Sequence, residues 1–405
     1  MKWEKVKLGD IATCIQPGPF GSQLHNSDYS KEGTPIIMPK DIVGGAIVHS
    51  GLLKVSEEHV KRLSRHQVYE GNLMVARKGD VRKCAYITAN ENGWMTGSDC
   101  LKVVLDESKC YPKFIYYQLR SEHIGRWLEK VSIGATMPSL NTGLLSGIEM
   151  VLPPIEIQKQ IAGILSVYDD LIENNRKQIK LLEEAARRLY KEWFVDLRFP
   201  GHENTKIVDG VPEGWNWCKL EDAIQFDPKV TLTKERMKQF IPMSALSTSS
   251  MVLDESQFTE TTSNSGSKFQ NGDTLLARIT PCLENGKTAY VSGLKSSEGA
   301  VGSTEYIVMR AKTINAYMVY LLARTDDFRQ SAINSMSGSD GRQRVKSDKL
   351  KMLDYLHPTS ELVEKFENVE EPIFEKIYRL SKQMQQAKQA RDLLLPKLMS
   401  GEVEV

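Results

Sequence analysis

Two long stretches of the chain carry apolar residues at heptad spacing. One follows Pro154 and the other follows Pro358, and each places apolar residues three and four positions apart over about five heptads, with charged residues between them. This spacing predicts two long α-helices, each about 60 Å long at ~1.5 Å per residue. Pro372 stands near the start of the second stretch and predicts a kink or a late start there, because proline removes a backbone donor.

Each predicted helix has an apolar seam that must be buried. We expect the two seams to pair as an antiparallel coiled coil, because helices of this length extend beyond what one small domain covers and a whole domain separates them in the sequence. The alternative is that each helix packs on its own domain. The residues expected to pair are Ile161, Leu165, Tyr168, Ile172, Asn175, Ile179, Leu182, Leu189, Phe366, Ile373, Ile377, Leu380, Met384 and Leu394. Asn175 either fixes the register as a buried polar residue or reaches solvent.

The regions before the two helices have similar sequences. Both consist of short runs of Val, Ile, Tyr and Thr interrupted by Gly, Pro and Asn, a composition typical of β-strands and turns. Arg77 follows an apolar run and corresponds to Arg278, and Gly97-Ser98 corresponds to Gly302-Ser303 with the same order and spacing. The two halves are therefore internal repeats.

These patterns predict an α+β fold in which two β-rich domains are each followed by a long helix, with an internal pseudo-two-fold symmetry. The predicted boundaries are 1–152 for the first domain, 153–199 for the first helix, 200–357 for the second domain, and 358–405 for the second helix and the tail. Within 194–215, Pro and Gly end the first helix and predict a loop.

Composition narrows the class of protein. The 405 residues include 53 Lys and Arg against 52 Asp and Glu, a net charge of +1. DNA binding by bulk positive charge alone is excluded, so any DNA contact needs local basic patches or a partner. The chain has no apolar run of ~20 residues, and its first residues alternate polar and apolar side chains, so we expect no secretory signal. Its six scattered cysteines form no C-x-x-C pair, so we expect reduced thiols, a cytoplasmic location and no metal site.

The sequence contains no recognisable catalytic constellation. Residues 281–288 resemble a phosphate-binding loop, but Pro281 replaces the first glycine and removes a backbone donor. The run after it, 289–292, predicts a strand where such a loop needs a helix. We therefore expect neither a catalytic residue nor a bound cofactor in this chain.

Basic and polar residues recur on predicted turns at matching positions of the two halves. Arg and Gln side chains form paired hydrogen bonds with base edges, and Arg or Lys beside Gly suits phosphate contacts. Residues 18–22, Gly-Pro-Phe-Gly-Ser, add an aromatic ring on a glycine-flanked turn. The residues predicted to contact DNA are Phe20, Ser22, Lys40, Arg77, Lys78, Arg82, Lys83, Arg278, Thr280, Lys287, Arg342, Gln343 and Arg344. For any single one, a solvated hairpin is the alternative.

Taken in order, these segments resemble the specificity (S) subunits of type I restriction-modification systems over essentially the full chain. The segments that carry the resemblance are 18–24, 152–162, 171–176, 194–199, 277–281, 284–287, 302–305, 341–345 and 394–401. The first half departs from the second at 134–138, Gly-Ala-Thr-Met-Pro, where the second half has Gly-Arg-Gln-Arg at 341–344. Base-contacting residues therefore do not carry over between the halves at this turn.

The resemblance implies a non-catalytic protein that recognises DNA. Each β-rich domain would be a target-recognition domain for one half of a split, asymmetric site. The helices would act as a ruler and dock two modification subunits, which bind S-adenosylmethionine and methylate adenine. Restriction subunits would translocate and cleave double-stranded DNA with ATP and Mg²⁺. Two other functions stay open from the residues alone: an enzyme with an unrecognised motif, and a coiled-coil adaptor that binds proteins without recognising DNA.

Overall fold

The computed structural model of the chain describes residues 3–134, 138–339 and 341–405. The chain forms two compact units: Met1–Leu171 with Ala387–Val405, and Ile172–Gln386. Each unit therefore contains one β-rich region and a segment of each long helix. Of the turns compared in the sequence, Ala135-Thr136-Met137 and Asp340 lie outside the described residues.

The first unit is built on two four-stranded sheets. One has the antiparallel order Ala12–Pro17, Cys100–Leu105, Leu73–Ala76, Cys84–Tyr86. The other has the order Met95–Thr96, Thr34–Ile37, Leu53–Val55, Tyr29–Ser30, and its first two strands are parallel. Two-stranded pairings join Glu4–Lys7 to Glu149–Leu152 and Ile42–Val43 to Ala46–Ile47. Leu73–Ala76 is buried along its whole length, as expected for an apolar strand flanked on both edges.

The second unit also has two four-stranded sheets, and its antiparallel sheet repeats the strand order of the first unit. One sheet has the antiparallel order Ile224–Phe226, Tyr306–Ala311, Thr274–Ala277, Thr288–Tyr290. The other has the order Thr259–Thr261, Lys238–Ile241, Ala300–Gly302, Ser267–Phe269, and its middle pair is parallel. Asn216–Lys219 pairs with Asp354–His357, and Ile207–Val208 with Val211–Pro212. The repeat seen in the sequence is thus a repeat of strand order in the antiparallel sheet, whereas the parallel pair lies at the edge of the other sheet in the first unit and in its middle in the second.

Short helices follow the last long strand of each unit. They are Pro112–Leu119, Glu122–Val131 and Thr142–Ser146 in the first, and Ala316–Ala323, Asp326–Asn334 and Ser347–Lys351 in the second. The further short helices are Glu57–Arg62 and Leu220–Ala223. Ser121 and Thr325 cap matching helices, since each hydroxyl accepts from a backbone N–H three residues on.

The long helices span Ile155–Tyr190, with a π-helical turn at Lys191–Val195, and Ser360–Ser400. The expected late start at Pro372 is wrong, because the second helix begins twelve residues earlier and continues through the proline. The region 194–215 is not only a loop, since it contains a short hairpin and two buried aromatic rings. These are Phe199 and Trp215, whose centroids lie 5.2 Å apart.

Within the first unit, segments of the two long helices pack together in antiparallel directions. Ile161 and Leu165 belong to one buried cluster with Leu398, and Leu394 packs against that cluster. Further along the first helix, Asp169 Oδ1 lies 2.5 Å from Arg391 Nη1. Residue numbers rise on one helix as they fall on the other, which is the predicted direction of pairing.

Within the second unit the helices pack in the same way. Asn175 is 1% exposed, and its side-chain amide donates to Gln383 Oε1 at 3.1 Å and to the Leu380 carbonyl at 3.5 Å. At the other end of this segment, the Tyr190 and Phe366 rings lie 6.1 Å apart. Asn175 is therefore a buried polar contact of the helix pair and does not reach solvent.

The remaining seam residues differ in burial. Ile172, Ile179, Ile377 and Leu380 are buried. Leu182, Leu189 and Ile373 are partly buried against the core of the second unit, and Tyr168 and Met384 are half-buried. The first long helix is also bound to the β-rich region of the second unit through Glu183. Its Oε1 accepts from Ser250 Oγ at 2.6 Å and from the Met251 N–H at 2.7 Å. Each long helix thus packs both on its partner and on a β-rich region.

Candidate nucleic-acid interface

Several loops of the first unit converge at one end of its sheets. The Gly97 N–H donates to the Ile37 carbonyl at 2.8 Å, the Gly18 N–H to the Cys100 carbonyl at 3.0 Å, and the Arg77 N–H to the Asp99 carbonyl at 2.7 Å. A Cβ on Gly18 would lie only 1.9 Å from the Gly97 carbonyl oxygen, so only glycine permits this approach. The convergence brings predicted DNA contacts from distant parts of the sequence to one place.

The side chains on these loops are basic, aromatic and polar. The Arg77 guanidinium carbon lies 5.4 Å from the centroid of the Phe20 ring, which is 53% exposed. Lys78 Nζ lies 3.1 Å from Asp99 Oδ1. Ser22 and Lys40 are exposed on the adjoining loops. These five predicted contacts form a patch that we call the first-unit patch.

Arg82 and Lys83 have partners within the protein. Lys83 Nζ donates to the Pro39 carbonyl at 3.1 Å, which anchors the turn that carries Lys40. Arg82 donates to Glu122, and this hydrogen bond raises the pKa of the guanidinium further above its usual value. Both side chains therefore support loops of their own unit, and their contact with DNA stays a prediction.

The second unit uses the same backbone framework. The Arg278 N–H donates to the Glu305 carbonyl at 3.0 Å, as Arg77 donates to Asp99. The Val345 N–H donates to the Arg278 carbonyl at 2.9 Å, as Leu140 donates to Arg77 at 2.8 Å. Equivalent strands therefore present equivalent loops in the two halves.

Glu305 organises the basic residues of the second unit. Arg344 forms a two-pronged ion pair with it, with Nε to Oε2 at 2.9 Å and Nη2 to Oε1 at 2.7 Å. Arg278 Nε lies 3.8 Å from Oε2 of the same carboxylate. The hydrogen bond from Arg344 lowers the pKa of Glu305 below its usual range. Arg344 is thus a positioning residue whose donors are largely satisfied.

The turn at 341–344 leaves two other predicted residues less constrained. Arg342 is exposed and Gln343 is half-buried, with its backbone carbonyl accepting from the Thr280 N–H at 3.1 Å. The Thr280 hydroxyl is buried and has no hydrogen-bond partner among the described residues. Lys287 Nζ donates to the Met243 carbonyl at 2.9 Å, matching the Lys83 contact with Pro39. Lys287 therefore supports a loop with one of its three N–H donors, and its phosphate contact stays a prediction.

Sequence reasoning missed the two acidic residues of the site. Asp99 and Glu305 follow the repeated Gly-Ser pairs by one and two residues, and each accepts from the basic loop of its own unit. Their recurrence after the same dipeptide was the available signal. Among the described residues, no group of His, Cys, Asp and Glu side chains could hold a metal ion.

Comparison with known proteins shows which family this chain resembles. A model of the type I restriction modification DNA specificity domain matches residues 1–184. The specificity subunit of the type I restriction enzyme MjaIX from Methanocaldococcus jannaschii is 25% identical over an alignment that covers 100% of this chain and 94% of that protein. Over its whole length this chain is similar to a type I restriction enzyme specificity subunit, and residues 1–184 match the DNA specificity domain.

Further specificity subunits match parts or all of the chain. The EcoAI specificity subunit from Escherichia coli is 35% identical over 233 residues, which cover 55% of this chain and 39% of that protein. The crystal structure of the S subunit from M. genitalium matches with a TM-score of 0.60 and 15% identity, and covers 98% of this chain and 96% of that one. At that identity the match shows a shared fold. In the part of the chain that the structure describes, no helix is long and apolar enough to span a membrane.

Proposed function

We propose that this chain is a specificity subunit that recognises a bipartite DNA sequence for a type I restriction-modification complex, with one half of the site contacted by each β-rich unit. The observation that carries the proposal is the repeated loop framework, in which Arg77 and Arg278 occupy equivalent positions after equivalent strands. Similarity to specificity subunits supports it against the coiled-coil adaptor. The different turns at 134–138 and 341–344 suit two unrelated half-sites.

The catalytic steps belong to partner subunits in this proposal. Two modification subunits would bind S-adenosylmethionine and methylate adenine, and restriction subunits would use ATP and Mg²⁺. The chain itself would act in the cytoplasm as a non-catalytic subunit without a cofactor. With a net charge of +1, it would depend on the modification subunits for part of the phosphate contact.

Methylome sequencing tests this function directly. A host that carries the modification subunit with and without this chain should differ by one methylated motif. We expect two specified parts separated by a spacer of fixed length. An unchanged methylome, with all subunits expressed and assembled, would contradict the proposal.

Gln343→Ala should relax recognition of one half-site. Its side chain lies on the turn whose neighbouring Arg344 is already paired with Glu305, so the amide is the better placed group for a base edge. We expect a loss of about 1–3 kcal/mol of discrimination at one position. Binding of the modification–specificity complex to libraries with either half-site randomised measures it. Lys349→Ala, an exposed change on the next helix, is the control. Relaxation in both half-sites would contradict the assignment.

The long helices should set the spacer length. Seven residues inserted into each helix, between 171 and 172 and between 386 and 387, would keep both heptad seams in phase. We expect methylome sequencing to show a longer spacer with both half-sites unchanged. A seven-residue insertion in one helix alone is the control, and it should disrupt pairing and abolish methylation. An unchanged spacer in the variant with both insertions would refute the hypothesis that the helices set the spacer length.

A further inference from the structure

The loop that carries Phe20 is held on both sides of the ring. Before it, Gly18 packs against the Gly97 carbonyl and donates to Cys100. After it, the Gln23 N–H donates to the Phe20 carbonyl at 3.3 Å, and Arg62 Nη2 donates to the Gln23 carbonyl at 2.8 Å. A backbone tied in this way holds an aromatic ring that is nevertheless 53% exposed.

Arg77 adds a cation to one face of this ring. Its guanidinium carbon lies 5.4 Å from the ring centroid, within the range of a cation–π contact. The Arg77 backbone is fixed at both its N–H and its carbonyl, by Asp99 and Leu140. The two side chains therefore form a preorganised pair, which reduces the entropy lost when the ring contacts another molecule.

The second unit has no aromatic residue at the equivalent position. Its corresponding edge strand, Ile224–Phe226, leads into Asp227-Pro228-Lys229-Val230. Asp227 Oδ1 accepts from the Val308 N–H at 3.1 Å, so the start of this loop is hydrogen-bonded to the neighbouring strand of its own sheet. At this loop the described residues therefore carry an exposed ring in the first unit and none in the second.

A single exposed apolar side chain needs no functional explanation, because such residues are common on protein surfaces. Phe20 differs because it lies in the first-unit patch against the Arg77 guanidinium, a cation that attracts phosphates. Proteins that deform DNA insert apolar side chains between base pairs and recover the unstacking energy through the additional contact that the bend allows. A fixed ring with a cation on one face has the chemistry for that role.

We propose that Phe20 is a wedge that inserts between two base pairs of one half-site and unstacks them, while Arg77 orients the ring and contacts the adjacent backbone. The inference rests on the proposed DNA recognition and adds a deformation that only one half-site undergoes. Recognition at that half-site then depends on how easily its sequence unstacks as well as on direct base contacts.

The test uses the complex of this chain with its modification subunits and duplexes that contain the mapped target. 2-Aminopurine is placed singly at each purine of both half-sites, except at the adenine that becomes methylated. We expect binding to raise the fluorescence at one step of one half-site. Phe20→Ala should abolish that rise and weaken binding by about tenfold to a hundredfold, whereas Phe20→Trp should keep the rise.

Tyr69→Ala is the matched control. Tyr69 is 52% exposed and precedes the strand Leu73–Ala76, whereas Arg77 follows it, so the two lie at opposite ends of this strand. This variant should keep both the fluorescence rise and the affinity. Sequence-specific binding without any fluorescence rise, or a rise that persists in Phe20→Ala, would overturn the wedge and leave the proposed function intact. Absence of specific binding by the unaltered complex would overturn the proposed function itself.

Discussion

Asp169→Ala should destabilise the first unit by about 3 kcal/mol. Asp169 accepts from the Tyr117 hydroxyl at 2.8 Å, lies 2.5 Å from Arg391 Nη1, and lies 3.5 Å from Arg120 Nη1. Arg391 is 7% exposed, so removing the carboxylate leaves a buried cation. Breaking a buried pair typically costs about 3–5 kcal/mol. We expect a loss at the lower end of this range, because Asp392 still accepts a hydrogen bond from Arg391 at 2.7 Å.

Urea denaturation followed by tryptophan fluorescence would measure this loss, with Trp127 packed against the same core as a reporter. Glu156→Ala is the control, because its ion pair with Lys159 is exposed and such pairs contribute little. Replacing both partners, Asp169→Leu with Arg391→Leu, should cost less than Asp169→Ala alone, since no buried guanidinium is left behind. A similar loss for Glu156→Ala and Asp169→Ala would show that burial of Arg391 does not determine the effect.

The heptad pattern predicted the long helices well because it depends only on local spacing. The pattern could not identify what compensates Glu370 and Arg391, the two charged residues that interrupt the apolar seam of the second helix. Arg391 finds its carboxylate 222 positions away on the first helix, whereas Glu370 finds no hydrogen-bond partner among the described residues. Both results depend on which residues face each other after the helices pair, and a single-sequence pattern does not contain that information.

For the candidate site, the sequence predicted where the loops lie but not the role of each basic residue on them. Repetition located the loops, since Arg77 and Arg278 do follow equivalent strands. Residue type alone did not separate contacts available to DNA from internal supports. Lys83 and Lys287 both donate to carbonyls of neighbouring turns, and Arg344 is held by Glu305. A basic side chain on a turn therefore indicates a site, but its role depends on acceptors that other strands bring near it.

Glu370→Leu should stabilise the second unit by an amount that grows with pH. Glu370 is fully buried in the second long helix, and neither carboxylate oxygen has a hydrogen-bond partner among the described residues. Burial raises its pKa from 4.5 to about 7, because the charged form is poorly solvated. The raised pKa means that the folded state favours the proton. The penalty is absent below pH 4.5, grows as pH rises from 4.5 to 7, and is complete above pH 7.

That shift corresponds to about 3 kcal/mol at pH 8. Glu370→Leu should therefore be more stable than the unaltered chain by about this amount at pH 8, with a much smaller difference at pH 4.5. Urea denaturation at both pH values, with the buried Trp193 and Trp215 as fluorescent reporters, measures the difference. Glu364→Leu is the control on an exposed position of the same helix and should show no such pH dependence. A stability gain for Glu370→Leu that is equal at both pH values would mean that the pKa of Glu370 is the same in the folded and the unfolded chain, because only a difference between the two makes stability depend on pH through this side chain.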